Sequence, residues 1–285
     1  MEVHARRHLS VSCTCTSGGV DRYDFHSTTT SREGGFSMSA MLSARNVSKS
    51  YGSYQALKGV SMEIGNGEFV SIVGPNGAGK TTLVNVLTGL AAPSAGTVHF
   101  MGSSIAGIGP VKLAAMGMAR SFQLVNIFPE ISVWETIAVA VSSRLGRASN
   151  PLRTLTGDPQ IEEEVQHIAA TLGLHQKLFE RAGSLSQGEK KLLDIASAFA
   201  LRPKAILLDE PTSGVSSGDK YGIMELLVKA ARSEGVGSII QVEHDMTLVA
   251  RYSHRVIALS EGRVIGDMSP DAFFKDSLML EAVMA

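Results

Sequence analysis

A glycine-rich run of eight residues has the residue types and the spacing of a phosphate-binding loop. It fits the pattern G-x-x-x-x-G-K-[ST] and follows an apolar segment, residues 69–73, that is typical of a buried strand. Glycines at these positions let backbone N–H groups turn towards an anion, and the helix expected after the loop adds its positive N-terminal dipole. The lysine would reach the β- and γ-phosphates of a nucleotide, and the following threonine hydroxyl would ligate Mg²⁺. The predicted nucleotide-binding residues are Gly74, Pro75, Asn76, Gly77, Ala78, Gly79, Lys80, Thr81 and the adjacent Thr82.

A second pattern is an acidic pair that follows a short apolar segment. Residues 206–208 are Ile, Leu and Leu, and Asp209 and Glu210 come directly after them. In a Walker B strand the first acid holds Mg²⁺ through water, and the second orients and polarises the attacking water. The alternative is a buried strand that ends in an acidic turn before Pro211. The phosphate-binding loop favours the Walker B interpretation, which predicts nucleotide hydrolysis with Glu210 as the base.

Three further features narrow the class of nucleotide hydrolase. The sequence LSQGEK at residues 185–190 opens a helix-like run about 20 residues before the acidic pair, Gln123 follows an apolar stretch, and His244 follows a strand-like segment at 238–242. In this order the motifs resemble those of the ATP-binding-cassette (ABC) ATPases, whose signature motif usually reads L-S-G-G-Q. The resemblance covers about residues 42–285.

The resemblance implies a role for each of these residues. Two subunits would close head to tail, so that Ser186 and Gly188 of one face the γ-phosphate held by the loop of the other. Gln123 would bind the metal and sense the γ-phosphate, His244 would contact that phosphate, and Tyr51 would stack on adenine. Each has a plainer alternative, which is a surface amide for Gln123, a structural histidine for His244 and an ordinary core aromatic for Tyr51.

This sequence departs from the family pattern at three positions. In the signature motif, Gln187 replaces a glycine and Glu189 replaces a glutamine, whereas the Ser and the second Gly that approach phosphate are retained. Farther on, Ser216 stands where the D-loop usually has an Asp. These changes bear on how tightly two subunits close.

The sequences at 117–123 and 243–246 resemble those of ABC importers for hydrophobic, branched-chain amino acids, in particular the larger of their two ATPases. The ATPases of urea and short-amide importers have much the same sequence pattern. The resemblance implies ATP and Mg²⁺ as cofactors and a peripheral location on the cytoplasmic face of the membrane. The implied partners are a second ATPase (copy or paralogue), two membrane permeases and a periplasmic or extracellular solute-binding protein. The alternatives are a soluble, non-transport ABC ATPase acting on DNA or the ribosome, and a nucleotide-sensing protein without catalysis.

The segments that must position these residues alternate between strand-like and helix-like patterns. Strands are predicted at 42–47, 56–64, 68–73, 97–100, 205–208, 238–242, 256–259 and 263–265, and helices at 80–90, 161–172, 188–201 and 223–232. Helical periodicity extends over about 113–184, interrupted by a polar surface loop at 142–159. The predicted fold is therefore α/β, a P-loop NTPase core of the ABC type with a β-rich antiparallel subdomain and an α-helical insertion. The apolar residues of 271–285 predict a C-terminal docking helix, which would fold back on its own domain or contact a partner.

The composition limits the other functional classes. The chain has 285 residues, 44% of them hydrophobic, and a formal net charge of −1. It lacks the basic footprint of a nucleic-acid-binding protein, and no apolar run approaches the roughly 18 residues of a membrane-spanning helix. Residues 1–40 are polar and predicted to be a disordered tail ahead of an ATP-binding domain at 41–285, with Met38 and Met41 as alternative start sites. Both cysteines, Cys13 and Cys15, lie in the tail and form at most half a metal site.

Overall fold

A computed structural model describes residues 40–121, 128–147 and 157–284. The predicted tail up to residue 39, with Cys13 and Cys15, lies outside the described residues. So do Gln123 and residues 148–156, which are half of the polar loop predicted at 142–159. The strands are β1 (Leu42–Tyr51), β2 (Tyr54–Ile64), β3 (Phe69–Val73), β4 (Ala95–Phe100), β5 (Ser103–Ser104), β6 (Met118–Ser121), β7 (Ala205–Asp209), β8 (Ser238–Val242), β9 (Arg255–Ser260) and β10 (Arg263–Met268). The helices are α1 (Lys80–Leu87), α2 (Pro110–Met116), α3 (Val133–Arg144), α4 (Pro159–Thr171), α5 (Gln187–Ala200), α6 (Asp219–Ser233), α7 (Met246–Tyr252), α8 (Pro270–Lys275) and α9 (Ser277–Met284).

The central sheet has six strands in the order β10-β9-β3-β8-β7-β6. All neighbours pair in parallel except β10, which forms an antiparallel hairpin with β9. Every residue of β3, β7 and β8 is buried, as expected for parallel strands that are covered on both faces. Along β7, Ile206 and Leu208 enter one hydrophobic core, and Ala205 and Leu207 enter another. The sheet therefore separates two cores, and its strands end where the predicted catalytic residues begin.

The second sheet is antiparallel, with the order β2-β1-β4-β5. It shares a core with α1, α2 and one face of the central sheet, through residues such as Leu57, Leu83 and Leu113. The tight approach of β4 to β1 needs a glycine at Gly96, where φ is 84° and a Cβ atom would lie 2.3 Å from the Asn46 carbonyl oxygen. The predicted β-rich antiparallel unit is thus present, with β1 four residues longer than the predicted 42–47.

The helical insertion consists of α3 and α4, which pack with α5 on the other core. Trp134, Ile137 and Val141 of α3 meet Val165 of α4 and Leu193 of α5 there. The N-terminus of α3 is fixed by a capping box, in which Ser132 and Glu135 satisfy each other's backbone N–H groups. The indole N–H of Trp134 donates to Glu162 of α4 at 2.9 Å, which ties the two helices together.

The predicted helical range 113–184 begins too early. Residues 113–116 belong to α2, whose Leu113 lies in the core of the antiparallel sheet, and β6 is a strand that pairs in parallel with β7. Gly117 ends α2 with φ 105°, and its carbonyl accepts the backbone N–H of Lys204, which directs the chain into the central sheet. A strand of four residues is too short for a two-residue periodicity to stand out from its helical neighbours.

The C-terminus forms two short helices where a single helix was predicted. Asp276 ends α8, and its side chain accepts the N–H groups of Leu278 and Met279 at the start of α9. Phe273 and Val283 pack in a small core with residues of β3, α7 and β9. The segment therefore folds back on its own domain. No helix among the described residues is both long and apolar enough to cross a bilayer.

Candidate active site

The glycine-rich loop connects β3 to α1, as predicted. Gly79 is the N-cap of α1 with φ 99°, so that the loop enters the helix in a conformation that L side chains rarely adopt. A Cβ atom on Gly74 would lie 2.1 Å from the carbonyl oxygen of Leu259, and one on Gly79 would lie 2.7 Å from that of Ala56. The backbones of β9 and β2 therefore press on the loop from outside, and glycine is required at both positions.

Lys80 is the first residue of α1 and is 6% exposed. Its ammonium group donates to the carbonyl oxygens of Gly74 at 2.6 Å and Pro75 at 2.9 Å. Burial lowers the pKa of Lys80, and the negative charges of Glu210 and Asp209 oppose that shift. A cation is thus held in the loop, next to the space where phosphates would lie.

This space is a cavity of about 270 Å³. Its wall consists of Tyr54, Ala56, Asn76, Gly77, Ala78, Gly79, Lys80, Thr81, Thr82, Glu210, Val242 and His244. Most of the predicted phosphate-binding loop and two of the predicted catalytic residues therefore surround one volume. Tyr51 is absent from this wall, and its ring centroid lies 5.0 Å from the ammonium nitrogen of Lys49. The aromatic ring in the wall is that of Tyr54, and stacking of Tyr51 on adenine stays a prediction.

Asp209 ends β7 and is almost fully buried, with 2% of its side chain exposed. Its carboxylate forms an ion pair with the guanidinium of Arg120 on β6, with an Nη2–Oδ2 distance of 3.0 Å. The same guanidinium donates to Asn85 of α1 at 2.7 Å. Arg120 thus joins Asp209, the predicted metal-binding acid, to the helix that begins at Lys80, and the motifs do not predict this link.

Glu210 directly follows β7 with a φ of 51°, in the left-handed region. A non-glycine residue there costs about 1–2 kcal/mol, so the conformation must be held by its neighbours. The N–H of Glu210 donates to the carbonyl oxygen of Val242 at 3.0 Å, and its own carbonyl accepts from the ammonium group of Lys191 at 3.1 Å. Its carboxylate lies 3.1 Å from Nε2 of His244. The predicted base and the predicted γ-phosphate contact are therefore direct neighbours.

A buried carboxylate behind His244 fixes the loop that carries it. Glu243 is 3% exposed, accepts the hydroxyl of Thr212 at 2.6 Å and accepts the backbone N–H of His244 at 2.9 Å. The chain after Glu210 and the chain after β8 are thereby held together. The sequence around Glu243 indicates only the family branch, because the hydrogen-bond partner of this carboxylate, Thr212, lies 31 residues away.

Ser186 is the N-cap of α5. Its hydroxyl accepts the N–H of Glu189, whose carboxylate accepts the N–H of Ser186 at 2.8 Å. Glu189 also pairs with Lys177 at 3.1 Å, and the bond from the Ser186 N–H, followed by the Lys177 ammonium, lowers the pKa of Glu189. The unusual glutamate is therefore an integral part of the cap. Ser186 and Gly188 are absent from the cavity wall.

Ser216, which stands where the family usually has an aspartate, also makes local hydrogen bonds. Its hydroxyl donates to the carboxylate of Asp219 at 2.7 Å and accepts the Asp219 N–H at 3.3 Å. These two bonds form the first turn leading into α6.

The comparisons with known proteins agree with this geometry. The sequence model of the family described as ABC transporter matches residues 57–213. The chain belongs to this family. It is 32% identical over 238 residues to the high-affinity branched-chain amino acid transport ATP-binding protein BraF of Pseudomonas aeruginosa, covering 81% of this chain and 92% of BraF. It is also 32% identical over 236 residues to LivG of Escherichia coli, with the same two shares. The phosphonates import ATP-binding protein PhnC of Wolinella succinogenes is 34% identical over 234 residues, covering 81% and 84%.

Solved structures of ABC cassettes have the same fold. A cassette of an ABC transporter in its ADP conformation has a TM-score of 0.75 and 28% identity, covering 86% of this chain and 99% of that one. A dimeric cassette in a post-hydrolysis state, bound to ADP and Pi, has a TM-score of 0.69 and 26% identity, covering 81% and 99%. This protein is therefore an ABC ATPase that binds nucleotide and hydrolyses ATP, which confirms the predicted family, fold class and activity.

The individual residue roles in this ABC ATPase stay predictions, and the structure shows which of them fit. Thr81 is exposed at the cavity and Asp209 lies at the end of β7, and hydroxyl and carboxylate oxygens are suitable Mg²⁺ ligands. The described residues contain no group of three or more His, Cys, Asp or Glu that would hold a metal alone. Proteins commonly bind Mg²⁺ through one or two carboxylates together with substrate phosphates. Gln123, the third predicted ligand, lies outside the described residues, just beyond β6.

Proposed function

We propose that this ABC ATPase energises the uptake of branched-chain amino acids or related small amides. The support is its similarity to BraF and LivG over 81% of the chain. The similar identity to PhnC shows that identity alone does not choose the substrate. The sequences at 117–123 and 243–246, which resemble the branched-chain amino acid importers, favour that group.

The observation that carries the proposed mechanism is the position of Glu210 and His244 in the wall of the phosphate-loop cavity, 3.1 Å from each other. The loop N–H groups and Lys80 would bind the phosphates, and Thr81, Asp209 and Gln123 would hold Mg²⁺, which neutralises phosphate charge when it is bound. Glu210 would orient water towards the γ-phosphate and accept its proton, and His244 would contact that phosphate. Nearly all the catalytic effect would come from such positioning and charge.

The signature residues of one subunit would complete the site of another. Ser186 and Gly188 lie outside the cavity of their own chain, whereas the N-terminus of the 14-residue helix α5 is suited to an anion. The fold itself does not require glycine at 188, because a Cβ atom there would make only ordinary contacts, 3.5 Å from Ile223 and 3.9 Å from Val215. Close approach of an external group would explain that glycine. The related cassette bound to ADP and Pi has a dimeric structure.

Exposed aromatic residues in the segments that flank α3 and α4 of the helical insertion support docking of the permeases. Phe128 is 72% exposed and Phe179 is 83% exposed. The segments that carry them are joined by an antiparallel bridge between Ser132 and Arg181. This surface would receive two membrane permeases at the cytoplasmic face, and a periplasmic or extracellular solute-binding protein would deliver the substrate to them. The second ATPase would be a copy or a paralogue.

The central experiment replaces Glu210 with glutamine. This variant should bind ATP and dimerise but hardly hydrolyse it, because the amide cannot accept a proton from water. Glu225→Gln is the matched control, since Glu225 lies on the outer surface of α6 and is 49% exposed. Normal turnover by Glu210→Gln would refute the assignment of the base.

A second experiment tests the partners and the substrate. The tagged protein, purified from native membranes, should bring two permeases, a second cassette and a solute-binding protein with it. Uptake of labelled leucine and of labelled urea, measured with and without the gene, would separate the two substrate groups. Recovery of ribosomes or nucleic acid would contradict the transport function.

A further inference from the structure

Helix α5, which begins in the signature motif and is called the signature helix below, carries a buried lysine. The side chain of this lysine contacts the loop after β7 that carries Glu210. Lys191 lies on α5, five residues after the N-cap Ser186, and is 5% exposed. Its ammonium group donates to the carbonyl oxygen of Glu210 at 3.1 Å and to the hydroxyl of Ser213 at 3.2 Å. One side chain therefore bonds the backbone of the proposed base and the start of the D-loop.

The buried ammonium group of Lys191 loses hydration, and this loss must be compensated by nearby negative charges and hydrogen-bond acceptors. Burial lowers the pKa of Lys191, while the negative charges of Asp194, Glu210, Asp209 and Glu243 oppose the shift. A hydrophobic residue of similar length would fill the same volume without the desolvation penalty, so packing alone does not account for a lysine here. The two acceptors in the loop after β7 give it a specific role.

The carbonyl that Lys191 bonds belongs to a residue whose backbone lies in the left-handed region. Glu210 has a φ of 51°, and its N–H is held by Val242. With Lys191 on the other side, both backbone groups of Glu210 are fixed, and the direction of the carboxylate towards His244 follows from that backbone.

We propose that Lys191 is a positioning residue, which holds Glu210 in its hydrolytic orientation and couples it to the position of the signature helix. This inference rests on the proposed roles of Glu210 and Ser186. The N-cap and Lys191 are separated by five residues of one helix, about 7.5 Å along its axis. When the N-terminus of α5 moves against the partner's nucleotide, Lys191 moves with it. Closure on one ATP is thereby transmitted to the base that acts on the other.

The test compares Lys191→Met with Lys229→Met, the same substitution at an exposed lysine on α6. We expect Lys191→Met to lower kcat about 10- to 100-fold, since displacement of a reacting group by about 1 Å can reduce a rate by that factor. Its Kd for a non-hydrolysable ATP analogue should stay within about two-fold of the wild type, because the phosphate loop is intact. Lys191→Arg, which keeps a donor, should recover part of the rate. If Lys191→Met does not fold, Lys191→Gln is judged by the same two measurements.

The double variant Lys191→Met, Glu210→Gln shows whether the lysine acts through the base. If it does, single-turnover hydrolysis by the double variant is no slower than that by Glu210→Gln alone. Independent losses that multiply, or wild-type kcat in Lys191→Met, would overturn the inference. A slow Glu210→Gln with a normal Lys191→Met would refute only this inference, whereas a normal Glu210→Gln would refute the proposed base.

Discussion

The ion pair between Arg120 and Asp209 permits a quantitative test of how the site is held together. In Arg120→Met most of the side-chain volume remains, but the Asp209 carboxylate, 2% exposed, loses the guanidinium 3.0 Å away. Removal of one partner from a buried pair costs about 3–5 kcal/mol, because the remaining charge stays desolvated. For a domain of this size, 1 kcal/mol corresponds to roughly 2–4 °C in Tm. The expected decrease in Tm is therefore about 6–20 °C.

Thermal unfolding of the nucleotide-free protein, followed by circular dichroism, measures this decrease. The control is Arg181→Met, because Arg181 pairs with Glu130 at the same 3.0 Å but with side chains 72% and 79% exposed. An exposed pair contributes about 0.2–1 kcal/mol, so the control should melt within a few degrees of the wild type. The double variant Arg120→Met, Asp209→Asn should recover part of the loss, since it no longer buries a lone charge. Equal Tm values for the two single arginine variants would refute the reasoning.

Three further predictions concern the signature helix α5 and the predicted adenine site. Glu189→Gln keeps a capping side chain but removes a negative charge, so ATP-dependent dimerisation, measured by analytical ultracentrifugation, should tighten at low salt and change little at high salt. Because the pKa of Glu189 is lowered, its charged cap stabilises the fold at pH values above the ordinary pKa of 4.5. This stabilisation is lost as the pH falls through the lowered pKa. The stability of Glu189→Gln should therefore depend less on pH in this acidic range. Tyr54→Ala should weaken binding of an ATP analogue about ten-fold, as expected for loss of a stacked base, and Tyr51→Ala should weaken it less. The reverse order would identify Tyr51 as the adenine platform.

The parts of the site that are continuous in sequence could be predicted from the sequence. The strand, loop and helix around Lys80 follow one another directly, and glycine, lysine and threonine at fixed spacing have few other uses. The Walker B strand was predicted because residues 205–208 are apolar and Asp209 and Glu210 follow them. The capping role of Glu189 was not predicted, although serine followed three residues later by glutamate is a local signal for a capping box.

The contacts that hold the site together depend on which strands are neighbours, and this order is not encoded locally. Arg120 reaches Asp209 across 89 residues because β6 lies beside β7 in the sheet. Since β6 was interpreted as part of a helical region, this contact could not be foreseen. Lys191 and Glu243 were missed for a related reason, because their partners lie in loops brought together by β7 and β8.

The backbone conformation of Glu210 has a consequence for protein engineering. At a φ of 51°, glycine or asparagine has a lower conformational free energy than glutamate, by up to about 1–2 kcal/mol. Selection of a variant library for thermal stability alone would therefore favour replacement of Glu210. The selected variants would have a higher Tm but would no longer hydrolyse ATP. Selection for longevity and selection for transport would prefer different amino acids at position 210. A library designed to raise the thermal stability of this ABC ATPase should therefore keep glutamate at position 210.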